Sequence, residues 1–282
     1  MWRRVLKTID RRSAVATVTA VASLFFALCW PPLAPDADAR PQEDVERSGY
    51  VTIFVYKNFQ PYSWEEDGEV VGIDADIARA IAEGLGVELR LLVREADENV
   101  DDDLRVNIWK GDLIHRQAAD IMLHVPYDRE LEIRAESLAV LFNPYFGEEV
   151  GVAYDGDVIP SVETFARFVS KPIAVELDTV SDFFLSGAFR GQLHQSIRRG
   201  RTFMDAVRLF EEGTVPALMA TKAQLQWVAF RNPDRNIQIA KPPMPGIIRD
   251  SWPIGMAVKE DSRDLGYAVG DVITSLKENG KL

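Results

Sequence analysis

The chain has 282 residues, 47% of them hydrophobic, with one cysteine and a formal net charge of −12 at pH 7. That length holds one large or two small domains around a real core. The acidic excess argues against nucleic acid and anionic membrane surfaces as partners.

In chain order, Arg3, Arg4, Lys7, Arg11 and Arg12 form a basic segment ahead of an uncharged, mostly apolar run from Ala14 to Trp30. Ala37-Asp38-Ala39 is a small-x-small site just before Arg40. This is the order of an export signal, so residues 1–39 are expected to be a signal peptide cleaved after Ala39, which exports the mature chain. The competing reading is an uncleaved anchor, for which the run is marginal in length. Arg3-Arg4 and Arg11-Arg12 each match a twin-arginine signal incompletely. Cys29 falls inside the signal, so the mature chain is expected to lack disulfides, thiolate metal sites and a cysteine nucleophile.

Residues 40–49 read as a polar linker without periodicity. Tyr50 to Tyr56 is a β-branched and aromatic strand. In the following stretch Ile73, Ile77, Ala80, Ile81 and Leu85 recur at spacings of three and four, the stripe of an amphipathic helix. Asp74 or Asp76 sits in its first turn, where the helix dipole favours a carboxylate, and Gly84 and Gly86 suit its end. Val87 to Val93 is a second strand. The strand–loop–helix–strand unit predicts a parallel sheet. Ligands bind such sheets beyond the carboxyl ends of the strands, which directs attention to the loop Lys57-Asn58-Phe59-Gln60-Pro61-Tyr62-Ser63-Trp64.

The acidic segment from Glu95 to Asp103 lacks the alternating spacing and turn glycine of a calcium loop and reads as a solvated loop entering a short helix over Leu104 and Ile108. Ala118 to Leu123 is an apolar strand whose exit is His124-Val125-Pro126-Tyr127-Asp128-Arg129. Leu138 to Phe142 and Glu149 to Tyr154 read as two strands around Asn143-Pro144-Tyr145-Phe146-Gly147. Ser161 to Thr164 approximates a capping box for a helix through Val169. Ile173 to Leu177 is a strand with the exit loop Asp178-Thr179-Val180-Ser181-Asp182 and a helix from Phe183. A helix from Thr202, a strand from Val215 to Met219, a helix through Phe230, a strand from Ile237 to Ala240, a strand from Trp252 to Lys259 and a helix from Leu265 to Leu276 complete the chain. The βαβ pattern thus occurs twice. Two α/β lobes account for it, residues 50–147 with 246–282 and residues 148–245, with a ligand cleft between them.

The motifs Pro61-Tyr62-Ser63-Trp64, Gly72-Ile73-Asp74-Ala75-Asp76-Ile77-Ala78, Ala119-Asp120-Ile121-Met122, Asn143-Pro144-Tyr145 and Ile173-Ala174-Val175-Glu176-Leu177-Asp178-Thr179, in this order, resemble those of the extracellular solute-binding proteins of family 3. The resemblance covers nearly all of the mature chain. It implies an α/β, two-lobed periplasmic-binding-protein type II fold, each lobe a mixed, mostly parallel sheet flanked by helices. It further implies a monomer that captures a small polar solute for an ABC transporter, without a cofactor. Amino-acid receptors of this family carry a Thr-x-x-Arg element whose arginine binds the ligand carboxylate. Here it is shortened to Val125-Pro126-Tyr127-Asp128-Arg129, and Arg129 either keeps that role or is a surface arginine paired with Asp128 or Glu132. The acids that meet the ligand ammonium are absent from Gly213 to Thr221, and Asp178 or Asp182 would have to replace them.

Asp120-Ile121-Met122-Leu123-His124-Val125-Pro126 followed by Tyr127-Asp128-Arg129 is also similar to a region of MxaJ/XoxJ-type proteins. That similarity implies the alternative, a non-transport accessory protein of a periplasmic quinoprotein alcohol dehydrogenase. For a receptor, Phe59, Tyr62, Trp64 and Tyr145 would supply aromatic walls, Arg129 a charge, and Asp178, Thr179 and Ser181 the opposite face, with His124 at the strand edge. His115, His124 and His194 fall in no metal-binding spacing, and the chain carries neither a Gly-x-Ser-x-Gly elbow nor a phosphate loop. An enzyme is therefore not expected.

Overall fold

The computed structural model describes residues 39–247 and 249–282, which fall within one compact unit. The expected signal peptide, with its arginine pairs and Cys29, lies outside the described residues apart from Ala39.

The expected linker contains a helix, α1 (Gln42–Ser48). It has a single buried apolar residue, Val45, too little for a periodic signal. Its N-terminal approach is held instead by Arg40, whose Nε and Nη2 reach the two carboxylate oxygens of Asp120 at 2.9 and 2.7 Å. Asp120 Oδ2 also accepts from the Thr52 amide at 2.7 Å, so this buried carboxylate of the Ala119-Asp120-Ile121 motif is a structural tie.

β1 (Tyr50–Tyr56) runs parallel to both β4 (Glu88–Arg94) and β5 (Ile121–Pro126). Between β1 and β4 come a short hairpin, β2 (Trp64–Glu66) and β3 (Glu69–Val71), and α2 (Ile73–Leu85). After β4 come α3 (Val100–Leu104), extended by a π-helical turn over Arg105–Trp109, and, beyond β5, α4 (Arg129–Ala135). β6 (Ala139–Asp155) is one continuous strand where two were expected. Its first part pairs with β11 (Ser251–Lys259), and from Val150 onward it pairs with β9 (Ala217–Thr221). This one strand therefore belongs to both lobes.

The second lobe adds β7 (Ile173–Glu176), α5 (Val180–Gly187), β8 (Ile197–Gly200), α6 (Phe203–Glu211), α7 (Lys222–Arg231) and β10 (Ile237–Ala240). α8 (Arg263–Glu278) closes the chain. The sheet order is β4-β1-β5-β11-β6-β9-β7-β8, with β10 on the free side of β6. Sequential residues go to opposite faces, as strand geometry requires. In the first lobe Ile53, Val55, Ile121 and Leu123 pack with Ile77 and Ile81 of α2 and Val269 and Ile273 of α8. Phe54 and Met122 pack on the other face with Leu104, Ile108 and Leu131. In the second lobe Val152, Val175 and Met219 meet Phe165, Phe168 and Phe184, while Ala153, Ala174 and Leu218 meet Phe203, Val207 and Phe210.

One junction fixes the site. No side chain caps the start of α2. Its first amides are taken by the preceding loop, Ile73 N–H to Pro61 O at 3.1 Å and Asp74 N–H to Tyr62 O at 2.8 Å. The close approach requires Gly72, at φ 116 and ψ 177, since a Cβ there would lie 2.5 Å from Tyr62 O. Gly72→Ala is expected to cost at least the roughly 1–3 kcal/mol of a conformation open essentially to glycine alone. Urea denaturation measures this, and a loss below about 0.5 kcal/mol would show that the loop relaxes freely.

Candidate functional site

The carboxyl ends of β1 and β5 carry an aromatic and ionisable cluster. His124, near the end of β5, is buried and adopts a left-handed φ of 59. Its amide donates to the Tyr145 hydroxyl at 3.0 Å, and that hydroxyl donates to Asp74 Oδ1 at 2.8 Å. The other oxygen, Asp74 Oδ2, lies 3.0 Å from His124 Nδ1. Asp74 has no solvent exposure, so both of its oxygens depend on these partners. A carboxylate facing Nδ1 fixes the tautomer with the proton on that nitrogen.

The imidazole is enclosed by rings, Tyr62 at 4.2 Å, Phe59 at 4.7 Å and Tyr56 at 6.4 Å between centroids. Tyr62 is fully buried and donates its hydroxyl to Glu148 Oε1 on β6. The second oxygen, Glu148 Oε2, is buried and has no hydrogen-bond partner among the described residues. Burial raises the Glu148 carboxyl above its ordinary range, against the opposing pull of Thr221 and the Tyr62 phenol. Burial, followed by the adjacent carboxylates, pushes the Tyr62 and Tyr145 phenols up, which keeps both as neutral donors.

A cavity of about 180 Å³ opens beside this cluster. Phe59 forms its first-lobe wall. The second lobe supplies Val150, Glu176 at the end of β7, Thr179 and Ser181 at the start of α5, Thr221 at the end of β9 and Gln224 on α7, while Trp252 comes from β11. Burial pushes the Glu176 carboxyl up to about 7, although it accepts the Phe203 amide hydrogen. Thr179 caps α5 by accepting the Asp182 amide at 3.3 Å and donates to the Glu176 carbonyl at 2.9 Å.

Of the residues singled out in the sequence, Phe59, Thr179 and Ser181 line the cavity. Tyr62, His124 and Tyr145 lie in the cluster behind Phe59. Trp64 instead packs on Trp227 of α7, edge to face at 5.9 Å, a contact from the first lobe to the second. Asp178 is exposed, and its amide donates to Asp182 Oδ2 at 3.3 Å. Arg129 is not brought to the cavity. It begins α4 with an exposed side chain paired with Glu132 at 3.1 Å, the surface alternative. Asp182, the other candidate replacement acid, is buried and paired with Arg199 at 2.8 Å. Sequence reasoning passed over Glu148, Glu176, Gln224 and Trp252. In the sequence Asp74 reads only as a helix-dipole residue, although its neighbour in the first turn, Asp76, is the exposed one. Among the described residues no group of three His, Cys, Asp or Glu side chains is placed to hold a metal ion.

The family model for bacterial extracellular solute-binding proteins, family 3, matches residues 51–282. Among curated proteins none matches the sequence. A solved mutant of ArgBP from T. maritima is 24% identical, with 85% of this chain and 94% of that chain covered and a TM-score of 0.58. An amino acid ABC transporter substrate-binding protein from Streptococcus pneumoniae, bound to L-arginine, is 21% identical, with coverage of 86% and 94% and a TM-score of 0.61. An ancestral cationic amino acid solute-binding protein reaches a TM-score of 0.65 at 17% identity, with coverage of 85% and 95%. At these identities the likeness establishes the fold, two lobes of mixed α/β structure.

Proposed function

The chain belongs to the bacterial extracellular solute-binding proteins, family 3, and we propose that it captures a small polar solute between its lobes and presents it to the permease of an ABC importer. On this reading it is a binding protein without catalytic chemistry, exported to the periplasm, with lobes of residues 50–147 plus 246–282 and residues 148–245. Phe59, Thr179 and Ser181 are its proposed ligand contacts.

The observation that carries this reading is the composition of the cavity wall. Phe59, from the loop after β1, and the strand exits of the second lobe line one cavity. A ligand there touches both lobes, and only a ligand that contacts both can favour the closed arrangement over an open one. The wall also joins apolar and aromatic groups to a few placed polar ones, the usual make-up of small-molecule sites.

A second reading, the accessory role beside a periplasmic quinoprotein dehydrogenase, is favoured by a different observation. The side chains of Asp74, His124 and Tyr145 are hydrogen-bonded to one another, and Tyr62 to Glu148, where an open receptor site would offer groups to a ligand.

A thermal-shift panel of amino acids, amines, small carboxylates, sugars and quinone cofactors separates the two. A ligand at a hundred times its dissociation constant adds about 2.7 kcal/mol. In a chain of this size that raises the melting temperature by roughly 5–10 °C. A flat response across the panel would remove the receptor reading in favour of the interaction role.

A further inference from the structure

The charges around the cavity are one-sided. Glu176 is in its wall, and no lysine, arginine or histidine lines it among the described residues. Basic groups close in sequence to its lining are engaged elsewhere, Lys57 among them, with Glu95 at 3.4 Å. Lys222 and Lys241 both pair with Glu149, at 2.6 and 3.0 Å, and Arg199 pairs with Asp182. Arg129 faces solvent beside Glu132. Two helix starts that would favour an anion border the cavity: the first turn of α5 already contains the buried Asp182 carboxylate, which accepts the Asp178 amide, and at the start of α7 the Gln224 side-chain oxygen accepts the Thr221 amide at 3.2 Å. Behind Thr221 lies a second carboxylate, Glu148, with its buried and unpartnered oxygen.

We infer that the cavity takes a small organic ammonium ion that carries no carboxylate, with Glu176 as its counter-charge and Phe59 and Trp252 as its apolar walls. This rests on the receptor reading above and specifies the ligand class. A zwitterionic amino acid would bring its carboxylate into a space that holds Glu176 and no cation, and a buried charge without a partner is strongly disfavoured. An ammonium ion meets the opposite situation, since it supplies the charge that the wall lacks. Cation–π attraction to the aromatic faces adds to this. Size sets only an upper bound on the ligand. At about 30 Å³ per water the cavity holds roughly six waters, so a ligand of similar heavy-atom count fits. Desolvation of the half-buried Glu176, with the negative charge of Asp205 adding to it, raises its carboxyl against the opposing pull of the Phe203 amide.

The test is calorimetric titration of the full chain with matched pairs that differ by one carboxylate: putrescine and ornithine, cadaverine and lysine, isobutylamine and valine. The expected result is binding of at least one amine, with its parent amino acid at least tenfold weaker. Glu176→Gln should weaken that amine by at least tenfold while the variant retains its melting transition. Wild-type affinity for the amine should be about tenfold lower at pH 6 than at pH 8, because ionised Glu176 falls from about nine-tenths to about one-tenth across a midpoint near 7. An amino acid that binds as tightly as its amine would overturn the cation assignment and leave the receptor reading intact. So would unchanged amine affinity in Glu176→Gln. Silence from both series, together with a flat thermal-shift panel, would overturn the receptor reading itself.

Discussion

Asp74→Ala is expected to lower the unfolding free energy by about 2–6 kcal/mol, since two buried donors each lose their acceptor at roughly 1–3 kcal/mol apiece. Asp74 is fully buried and holds two elements, the Tyr145 hydroxyl from β6 and the His124 ring from β5. Alanine leaves both donors facing a space that water does not reach. It also removes a carboxylate from the first turn of α2, where the helix dipole favours one. Asp74→Asn keeps the shape and one acceptor, so its loss should be smaller. Tyr145→Phe removes a single bond and should cost less again. Combined with Asp74→Ala, it should add little, because the two changes act on one contact. Urea denaturation at pH 7 gives all four values. A loss below about 1 kcal/mol for Asp74→Ala, or strict additivity with Tyr145→Phe, would mean that the network does not hold these elements together. The effect reaches the cavity through packing. His124 carries Phe59 on its edge, and Phe59 is the first-lobe wall.

Why this network escaped the sequence is clear from its parts. A carboxylate two residues into an amphipathic helix looks like a dipole partner, and the exposed Asp76 and the buried Asp74 have the same signature in one dimension. What separates them is the loop that caps α2 with its own carbonyls and turns Asp74 beneath Tyr145. Glu148 and Glu176 sit within or at the end of strands. An acid there acquires meaning only when pairing and strand order decide which face it takes. Phe59, Thr179 and Ser181 lie at the cavity by topology alone, because loops after parallel strands gather at one edge. Arg129 lies away from the cavity for the converse reason. A shortened motif suggests a ligand role for it, but Asp128 caps α4 by accepting from the Glu130 and Leu131 amides. The helix therefore begins at Arg129 and presents its side chain to Glu132.

The same contrast holds for the fold. β1, α2, β4 and β5 were legible because long apolar patterns at period two or 3.6 are hard to satisfy in more than one way. The hairpin of β2 and β3 was not, since each strand has three residues and Glu65, Glu66 and Glu69 are exposed. β8 carries Arg198 and Arg199 between Ile197 and Gly200, and only its register with β7 makes it a strand. β6 runs on as one strand because β11 accompanies it from Ala139 to Glu149, but the irregularity expected there is present as a bulge: between Phe142 and Phe146 β6 carries more residues than β11 does between Met256 and Ile254, and Asn143 adopts a φ of 45.

Glu176→Gln is expected to raise stability at pH 8 and leave it unchanged near pH 4. The carboxyl titrates at about 7 in the folded chain against an ordinary 4.5. Between those values the folded state keeps a proton that the unfolded state has released, so stability falls as pH rises through that window. At about 1.4 kcal/mol per pH unit, the ionised side chain costs up to about 3 kcal/mol above the window and nothing below it. Glutamine is neutral at every pH and can still accept the Phe203 amide hydrogen. It removes the penalty without opening a gap. The parent and variant stability curves should therefore coincide near pH 4, diverge between about 4.5 and 7, and run parallel above. Coincidence at all pH values would show that Glu176 is solvated in the folded chain. An ammonium ligand in the cavity should reverse the order at pH 8. It supplies the missing counter-charge to the parent and has nothing to neutralise in the variant, so the acid that weakens the empty protein is the one that makes the loaded protein the more stable of the two.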